Sequence, residues 1–504
     1  MIRWKVMAGL LGILVLAGLM PSGESLWFDE TITQGCASEP TFHALKTRLL
    51  TVNSSETQMP LGMLAFWAWE KLAGSSEWGL RSLNILWTLL AAGALFLAGR
   101  RLKLPALPFW LIIQPFLWYY ANEVRPYAMQ IAGAAWVLYG LVACVETQGR
   151  GRGWAWAFMG GSVLVTGASL LGAIPVAMAA ISIVALFWLW KCWPSRQTWL
   201  PLGLGGLLLL LLGVYDVATL LRGAGGARMW ETGLINVGFS AYELLGFIGL
   251  GPPRLEIREA ARQGMPALLA LLKTAAPGIS LLALLYFLLL LPLKNGLHHT
   301  RKPAMLCIGW VALGSPVLLF VAAKIVAWPF WGRHLAPVLP FSACLIAWLA
   351  SRFYNEVRSR PLAVLVPTLL AALLMTSALT LRFSARHRKD DYRKASALAL
   401  QAIKQGGNVW WSADLLSARY YGITFNPATP AAAGCVVAIT SSDPVPLETI
   451  SPRAPALVFT SKPDLFDSAG ALKHWLATSR YRILQTFPGF TVWAPPATLV
   501  PPAS

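Results

Sequence analysis

The chain has 504 residues, 56% hydrophobic and only 12% charged, with 24 Trp. This balance excludes a soluble globular protein, and the length exceeds one core, so the sequence reads as a polytopic membrane protein. The net charge of +19, from 41 basic and 22 acidic residues, fits positive cytoplasmic loops and anionic lipid, and leaves room for a phosphate-bearing substrate; without a basic soluble domain of useful size, nucleic acid is not expected as a partner.

In chain order, Arg3 and Lys5 precede an apolar run ending at Met20. A cleaved signal peptide competes with a first transmembrane helix; the run is long enough to span and reads as the helix. A spanning helix takes about 20 apolar residues, which predicts about eleven spans: 4–21, 80–99, 104–120, 127–145, 154–170, 172–190, 199–221, 266–292, 303–323, 331–350 and 362–381. The apolar stretch 154–190 is too long for one helix and divides at Thr166–Pro175. With this count the basic clusters at Arg3/Lys5, Arg100/Arg101/Lys103, Arg150/Arg152, Lys191/Arg196, Lys294–Lys302 and Arg352–Arg360 all fall on one side, the cytoplasm. Counting 60–73 as a further span would invert Arg100 and everything after it; that short segment carries Glu70 and Lys71 and reads as an interfacial helix.

The expected organisation is therefore a mainly α transmembrane domain, 1–381, with outer loops 21–79 and 222–265, followed by an extracytoplasmic domain, 382–504. The second loop carries Trp230, Glu231, Tyr242, Glu243 and Gly249-Leu250-Gly251-Pro252-Pro253. In the tail, short apolar strings at 408–411, 435–440, 456–460, 481–485 and 490–494 alternate with helical patterns at 391–404, 414–421 and 468–479. That alternation predicts a small α/β domain, its last two strands an antiparallel pair turning at Pro488-Gly489. The six cysteines form no CxxC pair, which does not support a metal cluster. Cys36 and Cys435 fall on the same side, leaving a disulfide between them open.

Five polar groups fall on the outer face. They are Asp29-Glu30 after the first span, Glu77 with Arg81, Asn122-Glu123-Val124-Arg125-Pro126-Tyr127, Lys324 with Trp328–His334, and Arg386–Arg393. Glu77 and Arg81 stand i, i+4 on one helical face, as an ion pair. Each group alone has an ordinary reading as a solvated helix end or an aromatic belt anchor. Together, acidic and basic loops ringed by aromatics fit a ligand with a charged head and an apolar tail. An adjacent pair of carboxylates leaves a divalent metal open while being a weak signature for one; no other cofactor is indicated.

These motifs, in this order, resemble the GT-C class of integral-membrane glycosyltransferases, in the group of the protein O-mannosyltransferases and the lipid A aminoarabinose transferase. The resemblance lies in Trp27-Phe28-Asp29-Glu30 after one span, and in Gly74-Ser75-Ser76-Glu77-Trp78-Gly79-Leu80-Arg81 after an interface helix. Glu123-Val124-Arg125-Pro126-Tyr127 is similar to the family's Glu-x-Arg-x-Tyr, and Arg333-His334-Leu335-Ala336-Pro337-Val338-Leu339-Pro340 to its Arg-Tyr-x-x-Pro-x-x-Pro. Asp391-Tyr392-Arg393 is similar to its Asp-Trp-Arg at the start of the soluble domain. The chain departs from the family at Gln58-Met59-Pro60-Leu61, where His-Pro-Pro is common, and at His334, where the family has tyrosine.

The resemblance implies a GT-C-like helical fold and an inverting transfer of a hexosyl or pentosyl group. The donor is a polyprenyl-phosphate sugar, and the acceptor an extracytoplasmic lipid, polysaccharide or protein of the cell envelope. It implies Asp29 as the base, with Glu30 orienting Asp29 or the acceptor, and Arg333 and His334 on the donor phosphate with Arg125 within reach. Glu123, Tyr127, Glu77 and Arg81 are supporting, with Glu123 either pairing with Arg125 or serving the site. The location implied is the inner or plasma membrane, N-terminus cytoplasmic. The competing readings are a transporter or flippase of a lipid-linked or phosphorylated substrate, for which Asp216 is the clear mid-span acid, an O-antigen-ligase-like glycan transferase, and an inactive scaffold.

Overall fold

The computed structural model describes residues 2–52, 54–223, 232–295, 302–326, 328–426, 434–439 and 454–496. The chain divides into two units, Met1–Ser22 with Thr33–His387, and Gly23–Ile32 with Arg388–Ser504.

The first unit is helical. It starts with α1 (Ile2–Leu19) and contains the second half of α2 (Phe28–Ala37), which the division cuts between Ile32 and Thr33. Then follow α3 (Phe42–Thr51), a 3-10 turn at Ser55–Gln58, α4 (Pro60–Ala73) and α5 (Glu77–Leu102). The next elements are α6 (Leu107–Ile112), α7 (Pro115–Ala121), α8 (Tyr127–Thr147), α9 (Gly153–Ala168), α10 (Ala173–Leu189) and α11 (Trp199–Leu221). After these come α12 (Leu234–Leu244), α13 (Arg254–Gln263), α14 (Met265–Thr274), α15 (Ala276–Leu290), α16 (Lys302–Ile325), a 3-10 turn at Gly332–Val338, α17 (Leu339–Glu356) and α18 (Arg360–Phe383). Among the described residues, eight helical segments are long and apolar enough to cross a membrane: Glu77–Leu102, Tyr127–Thr147, Leu170–Leu189, Arg196–Leu221, Ala276–Leu293, Pro303–Ile325, Gly332–Glu356 and Arg360–Phe383. The chain is an integral membrane protein.

Local chemistry explains where expected spans are interrupted. The stretch 104–120 forms α6 and α7 because Pro115, at the first position of α7, lacks the N–H that a continuous helix needs and biases Gln114 toward an extended conformation. Pro277 starts α15 in the same way and separates it from α14. The stretch 154–190 divides where expected, through a 3-10 turn at Leu170–Gly172. The helix expected over 60–73 is α4, with Pro60 at its first position.

The core of this unit centres on α8, which packs along α5 and α9. Gly133 and Gly161 let α8 and α9 touch backbone to backbone: a Cβ at Gly133 would stand 2.8 Å from the Gly161 carbonyl, and one at Gly161 2.5 Å from the Gly133 carbonyl. Such small residues let helices in lipid approach closely, where dispersion replaces the hydrophobic drive.

The second unit is α/β. It contains α19 (Tyr392–Lys404), β1 (Val409–Ser412), α20 (Leu415–Tyr420), β2 (Val436–Ala438), β3 (Leu457–Thr460), α21 (Pro463–Phe466), α22 (Ala471–Thr478), β4 (Arg482–Phe487) and β5 (Phe490–Ala494). The sheet order is β2-β1-β3-β5-β4. β1 pairs in parallel with β2 and β3, while β5 is antiparallel to β3 and β4. Every residue of β1 is buried, as expected for a central strand covered on both faces. Side chains alternate across the sheet, so Trp411 joins Tyr392, Phe459 and Phe490 on one face, and Trp410 joins Val458, Leu472 and Tyr481 on the other.

Cys36 and Cys435 are both free thiols, so the disulfide left open by the sequence is not formed. Each is spent on its own core, Cys36 among Leu45, Leu49 and Met63, and Cys435 among Trp410 and Val437. Burial, with the Glu56 carboxylate adding to it, pushes the Cys36 thiol up to about 11 against the opposing Arg48 and Arg125 cations.

Candidate functional site

The acidic pair opens α2, where two carboxylates in the first turn favour the positive end of the helix dipole. In the second unit the two acids differ. Glu30 is fully buried; one oxygen meets the Lys389 ammonium at 3.3 Å and the other accepts from the Trp27 backbone N–H at 3.3 Å. Asp29 is partly exposed. The segment leading into the pair is built into the α/β fold. Arg393 donates from its guanidinium to the Gly23 carbonyl at 2.7 Å and from its backbone N–H to Ser25 Oγ at 3.2 Å. The Leu26 N–H donates to Tyr421 Oη at 2.7 Å, and Thr31 Oγ1 shares a hydrogen bond with Ser417 Oγ at 3.0 Å. Trp27 packs on the core containing Tyr392 and Trp411, with the Lys462 ammonium 5.0 Å from its ring centre. Of the Asp391-Tyr392-Arg393 motif, Asp391 caps α19 through the Lys394 N–H at 3.0 Å, and Tyr392 is fully buried.

In the first unit, the sequence-derived residues fall into three places. Arg125 is 2% exposed and forms an ion pair with the equally buried Glu56; it also reaches Thr33 Oγ1 at 3.2 Å and Ser55 Oγ at 3.4 Å. Removing one partner of a buried pair strands the other charge, at a cost of about 3–5 kcal/mol. Glu56→Ala is therefore expected to destabilise this unit by about that amount, read as a lower unfolding midpoint in detergent, with Glu56→Gln intermediate. Arg81 is also buried, donating to the Ser22 carbonyl at 3.0 Å, while Glu77 lies in the first turn of α5 behind the Ser76 cap.

The third place joins the Glu123–Tyr127 motif to the 332–338 turn. Asn84 Nδ2 donates to the Glu123 carbonyl at 2.7 Å, fixing the chain after α7. Tyr127 stands edge-on to Tyr120 with ring centres 5.0 Å apart. Tyr120 Oη donates to Glu243 Oε2 at 3.2 Å, and Arg254 bonds both Glu243 and Tyr120. The Arg254 guanidinium lies 4.0 Å from the Tyr119 ring centre, and the Glu123 charge acts on both Tyr120 and Arg254. Glu243 is 1% exposed and its carboxylate lies against Gly332, next to the partly exposed Arg333. Thr232 Oγ1 fastens the same segment, donating to the Trp328 carbonyl at 2.7 Å and accepting from the Phe330 N–H at 3.1 Å. His334 Nδ1 accepts from the Trp331 N–H at 3.1 Å, and its ring lies 5.1 Å from that of Trp328.

Sequence reading missed Glu56 and Arg254, and it held Lys389 only as one member of the outer group Arg386–Arg393, without its partner Glu30. Arg254 follows Gly251-Pro252-Pro253, residue types that favour a turn and a helix start after it, but nothing local pairs it with Glu243. Of the other loop residues, Trp230 and Glu231 lie outside the described residues. Among the described residues, no group of three or more His, Cys, Asp or Glu side chains is arranged to hold a metal ion. Asp216 is buried on α11, which packs against α9.

No family model and no curated protein matches the chain. Among solved structures, it is similar to the crystal structure of ArnT from Cupriavidus metallidurans bound to undecaprenyl phosphate, with 15% identity over 99% of each chain and a TM-score of 0.48.

Proposed function

We propose that the protein is an integral-membrane glycosyltransferase that moves a sugar from a polyprenyl-phosphate donor to an extracytoplasmic lipid, polysaccharide or protein, with inversion. The distribution of basic residues among the loops supports an N-terminus in the cytoplasm and an acidic pair outside. The acceptor hydroxyl oxygen bonds to the anomeric carbon while the bond from that carbon to the phosphate oxygen breaks. The hydroxyl proton passes to Asp29, and the phosphate leaves with the bonding electrons. Glu30 orients Asp29. Arg333, whose planar fork suits two phosphate oxygens, anchors the leaving group with His334, and Arg254, oriented by Glu243 and Tyr120, adds a second cation beside that turn. Arg125, buried with Glu56, supports the outer loops, as do Glu123, Tyr127, Glu77 and Arg81.

The observation that carries this reading is the split between two adjacent acids. Glu30 is fully buried on a lysine and Asp29 is partly exposed, one carboxylate suited to holding the chain and the other to meeting an acceptor. The test is transfer of labelled sugar from a polyprenyl-phosphate donor to envelope acceptors by the purified protein in lipid. Counterflow of the donor without transfer would support a transporter instead. Arg333→Ala is expected to weaken donor binding by roughly 10–100-fold, the worth of a charged phosphate contact. An unchanged donor affinity would remove Arg333 from the phosphate site.

A further inference from the structure

We propose that the C-terminal α/β domain is the positioning device for Asp29, acting through the Lys389–Glu30 pair. This rests on Asp29 being the base. The segment Gly23–Ile32 lies over 350 residues before the domain's first helix in sequence, yet belongs to that unit. Its start is held by Arg393 at Gly23 and its end by Ser417 at Thr31. Between them Trp27 is seated under the Lys462 ammonium, itself held by Asp390 at 2.6 Å.

Those contacts fix the position of the first turn of α2, and Lys389 fixes its rotation. Successive helical residues point about 100° apart around the axis. With Glu30 drawn fully inside onto the Lys389 ammonium, Asp29 is turned toward the partly exposed side. A buried carboxylate without its cation is unfavourable. Loss of Lys389 therefore lets Glu30 leave the interior, and the turn carrying Asp29 rotates with it. Lys389 is a positioning residue, since it acts on the reaction through Glu30 and Asp29. Misplacement of a reacting group by about 1 Å can cost 100-fold in rate.

The test compares Lys389→Met and Lys389→Arg in the full chain in lipid, by labelled-sugar transfer and by hydrogen exchange of the backbone. Lys389→Met is expected to lower kcat by about 100-fold with the donor KM unchanged, and to speed exchange within 23–32 while β1 and β3 stay protected. Lys389→Arg, which keeps the cation, is expected to restore most of the turnover and the protection. Wild-type kcat in Lys389→Met would overturn the proposal. So would loss of protection across the whole sheet, because Lys389 would then hold the domain together rather than aim the segment. Absence of transfer by the wild-type protein would instead remove the glycosyltransferase reading. Exchange within 23–32 then decides on its own whether Lys389 holds that segment.

Discussion

Asp29→Asn is expected to abolish sugar transfer while membrane insertion and donor binding stay near wild type. Asparagine has the same shape and keeps a hydrogen-bonding carbonyl oxygen, but it cannot accept the acceptor's proton at neutral pH. A positioned general base contributes about 10²–10⁴-fold to rate, so the loss is expected in kcat. The neighbouring acid provides an internal comparison. Glu30 is buried against Lys389, so Glu30→Gln leaves the lysine charge without its carboxylate, and its effect should include a loss of stability. Asp29 is partly exposed at the helix start, and asparagine fills the same space there. The two variants thus separate by readout: Asp29→Asn lowers turnover at an unchanged unfolding midpoint, whereas Glu30→Gln lowers both. Near-normal turnover in Asp29→Asn would exclude Asp29 as the base, while a phosphate acceptor, which needs little base help, would leave a smaller defect.

Much of the fold was legible because it depends on local patterns. The apolar runs predicted most of the long helices, and short apolar strings separated by helical patterns predicted the five strands, with β4 and β5 turning at Pro488-Gly489. The break between α6 and α7 was also signalled, by Pro115, but the apolar character around it reads as one continuous span when only hydropathy is counted. The pairings were not legible. Arg125 finds Glu56, 69 residues away in sequence. Glu30 finds Lys389. An ion pair formed by tertiary folding leaves no periodic trace, because any of several acids and bases has the right charge. The loop 222–265 was legible as glycine-rich and aromatic. Its described part instead carries α12 and α13 and brings Glu243 and Thr232 to the segment 328–332.

Gly332→Ala tests that last arrangement, and it is expected to damage both stability and donor binding. A Cβ at Gly332 would stand 1.7 Å from Glu243 Oε2, 2.9 Å from its carboxyl carbon and 3.4 Å from its Cβ. A glutamate end on the surface would swing aside at little cost. Glu243 is 1% exposed and its carboxylate is held by Tyr120 and Arg254, so moving it breaks those bonds or pushes the 332–338 turn away. Overpacking of this kind typically costs about 1–3 kcal/mol. The shifted turn carries Arg333, so donor affinity falls with stability. Shortening the obstructing side chain provides the compensation: Gly332→Ala combined with Glu243→Asp is expected to recover part of both losses, because the shorter acid makes room for the methyl group while retaining a charge for Arg254. The comparison is read from unfolding midpoints and donor dissociation constants of the wild type, the two single variants and the double variant in a double-mutant cycle. Strict additivity would show that Gly332 and Glu243 do not constrain one another, and a positive coupling would tie the placement of Arg333 to a carboxylate on α12.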